Sequence, residues 1–285
     1  MAASVRCMVN QFRKWGKSPR IWMVFILFAI FVSTNFIASI RVFCQQYQVS
    51  CSIWTLPLAL TMRNRRLWIM LLPILLFCDA PFLDQQQPFL IIRIGRTRWA
   101  VGQILYILAA SVVFYLGCML ITVLLLFPHV TFTLDWGKVL HTLTQPHVTW
   151  NIRMDVIPAS VLQQYSAIQA TILCGAVMCI VTSFLGLLMF LCNLWAKREV
   201  GILVASFFVG FAYFIEIMSI PSRSWNTMRY FSPATWVDLS QMGHNNFRSP
   251  SWSYIFIFGI LLLVILIIGI LLSVRKKSID VIQSL

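Results

Sequence analysis

Acidic residues are scarce in this chain: 8 Asp and Glu stand against 22 Lys and Arg in 285 residues, and charged residues of both signs make up only 11%. Soluble domains carry about 25% charged residues, so this surface is too poor in charge for an ordinary water-soluble fold. The phosphate-cradling pattern GxxxxGK[ST] is absent, which excludes ATP binding and hydrolysis by that route within the chain. The eight cysteines include no CxxC pair and no Cys/His spacing suited to zinc. GxSxG, HExxH and paired aspartates within an apolar run are also missing, which removes the common hydrolase and intramembrane protease patterns. His129, His141, His147 and His244 lie between the apolar runs without a carboxylate at useful spacing. The chain is therefore expected to be no enzyme by itself and to hold no metal and no cofactor.

What the sequence has in abundance is apolar length. Hydrophobic residues reach 60% and mean hydropathy is +0.84. Crossing a bilayer core takes roughly 20 mainly apolar residues per helix. Six runs meet or approach that length, at 21–40, 67–83, 99–127, 168–192, 200–220 and 252–274, and within them the only acids are Asp79 and Glu216. They are continuously apolar, whereas barrel strands alternate in polarity over about 10 residues. The expected fold is all-α, a single permease-like membrane domain over 1–285 with a bundle at 21–274. The net charge of +14 is better explained by membrane topology than by nucleic acid. With six spans, segments assigned to the inside are more than twice as dense in Lys and Arg as those outside, which puts both termini and the tail 275–285 in the cytoplasm. The run after Arg20 lacks a cleavage site and reads as an uncleaved first span.

The connecting segments carry their own patterns. In 1–20, Val5, Met8, Val9, Phe12 and Gly16 share one helical face and Arg6, Asn10, Arg13 and Lys17 the opposite one, so an interfacial helix is expected, with Arg13 and Lys14 among lipid headgroups and Trp15 at the boundary. The apolar stretch 53–62 is too short to cross and is expected outside, closed by Arg63, Arg65 and Arg66, because three arginines in a span would be costly in hydrocarbon. In 84–98, Pro88 is placed to begin a short helix and Gly95 to end it in a left-handed cap. Phe89, Leu90 and Ile92 would give that segment a docking face and Arg93, Arg96 and Arg98 its charge. A long loop at 128–167 and a second at 221–251, containing RYFSPATWVDLSQMG, are expected to fold on the outer surface, the second with short re-entrant helices. Cys44 and Cys51 fall in an outer loop where oxidising conditions would permit a disulfide, the alternative being two free thiols. Glu216 and Asp79 are costly against lipid and are expected either to be hydrogen-bonded structural groups or to line a pathway.

Three stretches, FCDAPFLDQQQPFLIIRIGRTRWAVGQILY at 77–106, NLWAKREVG at 193–201 and FSPATWVDL at 231–239, together with the order of features, resemble the permease subunits of type-2 ABC exporters, bacterial members in particular. The resemblance covers nearly the whole chain. It implies an inner-leaflet elbow helix, six spans, a coupling helix at 88–98 and residence in the bacterial cytoplasmic membrane. It also implies a second permease chain, identical or different, and separate ABC ATPase subunits that bind ATP and Mg, contacted through Phe89, Arg93, Arg96 and Arg98. The substrate class would be a peptide, an antibiotic or another amphipathic molecule. Two other readings stand beside it: a membrane enzyme acting on a lipid at the outer face through 128–167 and 221–251, and a non-transporting sensor or immunity subunit.

Overall fold

The computed structural model describes residues 2–82, 87–151, 155–196, 198–219, 223–242 and 249–276. They form eight main helices: α1 Ala2–Arg13, α2 Pro19–Tyr47, α3 Arg63–Phe77, α4 Gln87–Ile94, α5 Arg96–Leu126, α6 Ala167–Trp195, α7 Arg198–Met218 and α8 Trp252–Lys276. The β structure described is one two-residue parallel pair, Cys51–Ser52 with Val130–Thr131. Five helices, α2, α5, α6, α7 and α8, are long and apolar enough to cross a membrane, the pattern of a multi-pass membrane protein.

The sixth run departs from expectation. α3 has 15 residues with Pro73 inside it, and at 1.5 Å per residue it measures about 22 Å against a hydrocarbon core of about 30 Å. It stops at Phe77, and a turn through the cis peptide Ala80–Pro81 follows. Its other end begins earlier than the sequence suggested, because Arg63, Arg65 and Arg66 belong to the helix. The stretch before it turns inward: Leu56–Ala59 is a short helix, and Leu56 through Thr61 are buried.

α6 is the hub. It packs on α3, α5, α7 and α8, and its start is fixed by a capping box in which Ser166 and Gln169 each bond the other's backbone N–H, at 3.3 and 3.2 Å. α2 runs against α3 and α5, and its middle loosens into a π-turn at Ser33–Ile37. There Thr34 Oγ1 and Asn35 Nδ2 donate to the Phe31 carbonyl, competing with the helix ladder.

α1 lies along the start of α5. This defines the near end of the bundle; the end carrying Arg63–Arg66 is the far end. The face of α1 against α5 is Ser4, Cys7 and Gln11, while Val5 and Val9 are exposed beside exposed Arg6, Asn10 and Arg13. The helix thus has a protein face of small and polar residues in addition to the apolar and basic faces read from the sequence. Ser4 Oγ donates to the Arg98 carbonyl at 3.0 Å, and Gln103 Nε2 donates to Cys7 Sγ at 3.8 Å. Gly102 permits this approach, since a Cβ there would meet Cys7 Cβ at 2.7 Å and the Ser4 carbonyl at 2.9 Å. Burial pushes the Cys7 thiol up, against a smaller opposing pull from Lys14, so little thiolate forms near neutrality. Gly102→Val is expected to lift α1 from α5. Maleimide labelling of Cys7 should then accelerate several-fold over wild type, and an unchanged rate would show that α1 does not depend on this contact.

Candidate functional site

At the near end the structure joins the conspicuous segments to one another. Helix α4 ends at Gly95, whose φ of +86° and ψ of 147° lie in a region open essentially to glycine but outside the left-handed helical cap expected from the sequence. The chain therefore breaks sharply and restarts as α5 at Arg96. Ile91 is buried, Ile92 is 67% exposed, Arg93 and Arg98 are exposed, and Arg96 is half-buried. The backbone of Phe89 is helical, but its side chain and that of Leu90 lie outside the described residues, as does Asp84.

Asp79, beyond α3, is ion-paired with Arg20 at the start of α2. Trp15 is half-buried: its indole N–H donates to the Tyr106 hydroxyl at 2.9 Å, and its ring packs on Phe12 and Phe25. Lys14 is half-buried and Arg13 exposed. Buried Asn193 ties two of the sequence stretches together, donating to the Ala80 carbonyl at 2.7 Å and accepting from the Gly201 N–H at 2.9 Å.

The far end holds the buried charge. Arg66 Nη2 lies 2.5 Å from Glu216 Oε1 and its Nη1 lies 2.9 Å from Asp238 Oδ2, with all three side chains at most 11% exposed. Arg63, Arg65 and Arg66, expected to close the stretch 53–62, form the first turn of α3. Two of the three are buried, and for Arg66 two carboxylates offset the cost of leaving water. Asp238 sits in the third stretch, 231–239, where Ser232 through Leu239 are all buried. Its Oδ1 accepts from the Ser240 N–H at 3.0 Å and hydroxyl at 2.6 Å.

Arg229 completes the cluster, donating to Gln241 Oε1 at 2.8 Å and Ser219 Oγ at 3.0 Å, with its own carbonyl accepting from the Trp236 indole at 2.9 Å. Burial lowers the pKa of its guanidinium, against the opposing pull of Glu216 and Asp238. Arg65 stacks on the ring of Phe36 at 4.6 Å and has Asp155 Oδ2 at 3.6 Å.

Sequence reasoning reached Glu216 but missed Arg66, Asp238 and Arg229 as its company. The available signal was numerical: buried acids require cations, and a basic triplet next to an apolar run was at hand. Cys44 and Cys51 are both buried, free thiols, and burial is the main cause of the strongly raised Cys51 pKa. Among the described residues no group of His, Cys, Asp and Glu is placed to hold a metal ion; His244 lies outside them. An open cleft of about 830 Å³ runs between Asp135–Thr142 and Leu162–Ala167.

No family model, curated protein or solved structure matches the chain.

Removing Arg66 alone leaves Glu216 and Asp238 buried without their shared cation. Arg66→Met is expected to cost about 3–5 kcal/mol, read as a lower unfolding temperature in detergent. Adding Glu216→Gln and Asp238→Asn should recover a large part of that loss. A single variant as stable as wild type would show that the cluster contributes nothing.

Proposed function

We propose that this chain is the membrane-spanning permease subunit of an ATP-driven type-2 ABC exporter, working with a second permease chain and separate ATPase subunits that bind ATP and Mg. The observation that carries the reading is the near-end junction. A short helix with exposed Ile92 and Arg93 meets α5 at the Gly95 break, and α1 is bonded to the same point through Ser4 and the Arg98 carbonyl. An exposed apolar and basic edge at that junction suits docking of a soluble partner, and α5, with 31 residues, is long enough to carry a displacement from it across a membrane.

In this reading α3 serves as the sixth span, the near end faces the cytoplasm, as the Lys and Arg distribution favours, and both termini lie there. The segments at the far end, Leu56–Ala59 and Arg223–Val237, are the outer re-entrant pieces. Closure of the ATPase subunits pushes the 88–98 segment, α5 and α1 follow, and helices of the two permeases part to open a path. The substrate class is an amphipathic molecule such as a peptide or antibiotic. The cleft between Asp135–Thr142 and Leu162–Ala167 supports a second reading, action on a lipid at the outer face by this chain alone; turnover by the purified chain without ATP would favour it.

Arg93→Glu with Arg96→Glu is expected to leave insertion and folding intact but to weaken ATPase docking by about 1.4 kcal/mol or more, a tenfold change in affinity. Substrate-linked ATP hydrolysis by the reconstituted complex should fall by at least that factor. Full coupling in the double variant, or failure of any ATPase to copurify with the chain, would overturn the reading.

A further inference from the structure

The first turn of α3 holds two neighbouring arginines in very different states. Arg66 is saturated: its guanidinium reaches Glu216, Asp238 and the Leu60 carbonyl. Arg65 is as deeply buried, with its side chain 4% exposed, yet its Nε, Nη1 and Nη2 all lack a hydrogen-bond acceptor. A guanidinium carries five N–H donors and stays charged, and about 90% or more of buried polar groups in folded proteins are bonded. Idle donors on a buried cation mark a place that an acceptor from outside the chain can take.

The surroundings show from which side. The Arg65 guanidinium lies over the Phe36 ring, 4.6 Å from its centroid. Phe36 is fully buried and belongs to the π-turn Ser33–Ile37 of α2, an interruption of a kind frequent at functional sites. Among the described residues the acid that approaches Arg65 is Asp155, with Oδ2 at 3.6 Å from Nη2 and its side chain 68% exposed. That separation is too long for a hydrogen bond, whereas a well-made guanidinium–carboxylate pair closes to about 2.7–2.9 Å. Asp155 therefore stands on the solvent side of Arg65 without satisfying it.

The chemistry of the gap selects a carboxylate. With an aromatic ring against one face, the guanidinium presents its N–H groups along its edge, and a planar monoanion meets that edge with two parallel N–H···O bonds. Asp155 shows that the space beside Nη2 admits a carboxylate in particular. Water can take some of the N–H groups but brings no charge to offset a buried cation.

We propose that Arg65 is the receptor of a carboxylate-binding site guarded by Asp155, and that a carboxylate from outside the chain displaces Asp155 and takes up the idle N–H groups. The site rests on the side chains around Arg65 and not on the exporter reading, so either can fail without the other.

The test is modification of the full chain in detergent by the arginine reagent phenylglyoxal, at constant ionic strength, with Arg65 and exposed Arg98 quantified separately by peptide mass spectrometry. Asp155→Ala opens a space beside Arg65 that acetate, the Asp side chain as a free molecule, can fill. Arg65 is expected to react about three- to fivefold faster in Asp155→Ala than in wild type, the scale of one loose ion pair. Acetate should return it to the wild-type rate, isosteric acetamide should not, and Arg98 should respond to neither. Acetate should also slow Arg65 in wild type, at a concentration about three- to fivefold higher because it must first displace Asp155; this arm decides the matter if Asp155→Ala fails to fold. Equal Arg65 rates in the two proteins, equal effects of acetate and acetamide, or a wild-type rate that acetate leaves untouched would overturn the proposal.

Discussion

The buried Arg66 guanidinium, shared between Glu216 and Asp238, is the interaction on which the far end is built. α3 is about 22 Å long, and the turn beyond its near end is held by the Arg20–Asp79 pair. Its first turn carries Arg63, Arg65 and Arg66. Buried arginines are costly without partners, and the chain closes over Arg65 and Arg66 from both sides of the sequence. Leu56–Thr61 folds in ahead of α3, and the stretch from Arg223 to Leu239 folds in from beyond α7, bringing Arg229 and Asp238 with it. The Arg66 guanidinium donates to the Leu60 carbonyl at 2.8 Å, so the same side chain also holds the inward turn in place.

The near end is built on different physics. Beside the Arg20–Asp79 pair, its joints are neutral hydrogen bonds and close helix approach: Ser4 to the Arg98 carbonyl, Asn193 between Ala80 and Gly201, and Gly102 against Cys7. The contacts of Ser4 and Gly102 couple α1 to the start of α5, and Asn193 couples the Ala80 turn to α6 and α7. Trp15, wedged among Phe12, Phe25 and Tyr106, extends the coupling of α1 and α5 to α2. A force applied at the exposed edge of Ile92 and Arg93 would move several helices together.

Much of this architecture was legible in the sequence because membrane helices announce themselves locally. The runs containing α2, α5, α6, α7 and α8 need only their own residues to be read, and Gly95 marked its break by type alone. The far-end cluster was not legible in that way. Arg66 and Asp238 are 172 positions apart, and nothing near Arg66 shows that two acids will reach it, so a cost argument applied to Arg66 alone pointed outward. The same limit applied to α1, where the periodicity of Val5, Met8 and Val9 indicated an apolar face, of which Val5 and Val9 are exposed and Met8 half-buried, while the protein face of Ser4, Cys7 and Gln11 had no apolar signature.

The charges also do something that apolar packing cannot. Helices in lipid gain little by hiding leucines from one another, because the tails around them are equally apolar, so α3 could slide along α6 or α7 with little penalty from burial alone. A slide of one residue is about 1.5 Å, enough to break contacts of 2.5 and 2.9 Å between Arg66 and its two carboxylates. Arg20–Asp79, Arg65–Asp155, Arg66–Glu216 and Arg66–Asp238 all engage the stretch 63–79. The shortest of the helices lining the bundle is thus pinned by charge at each end. A buried ion pair is weak evidence for added stability, and here its effect is better understood as registry: the cluster selects one vertical position for α3 against α7 and the 231–239 segment.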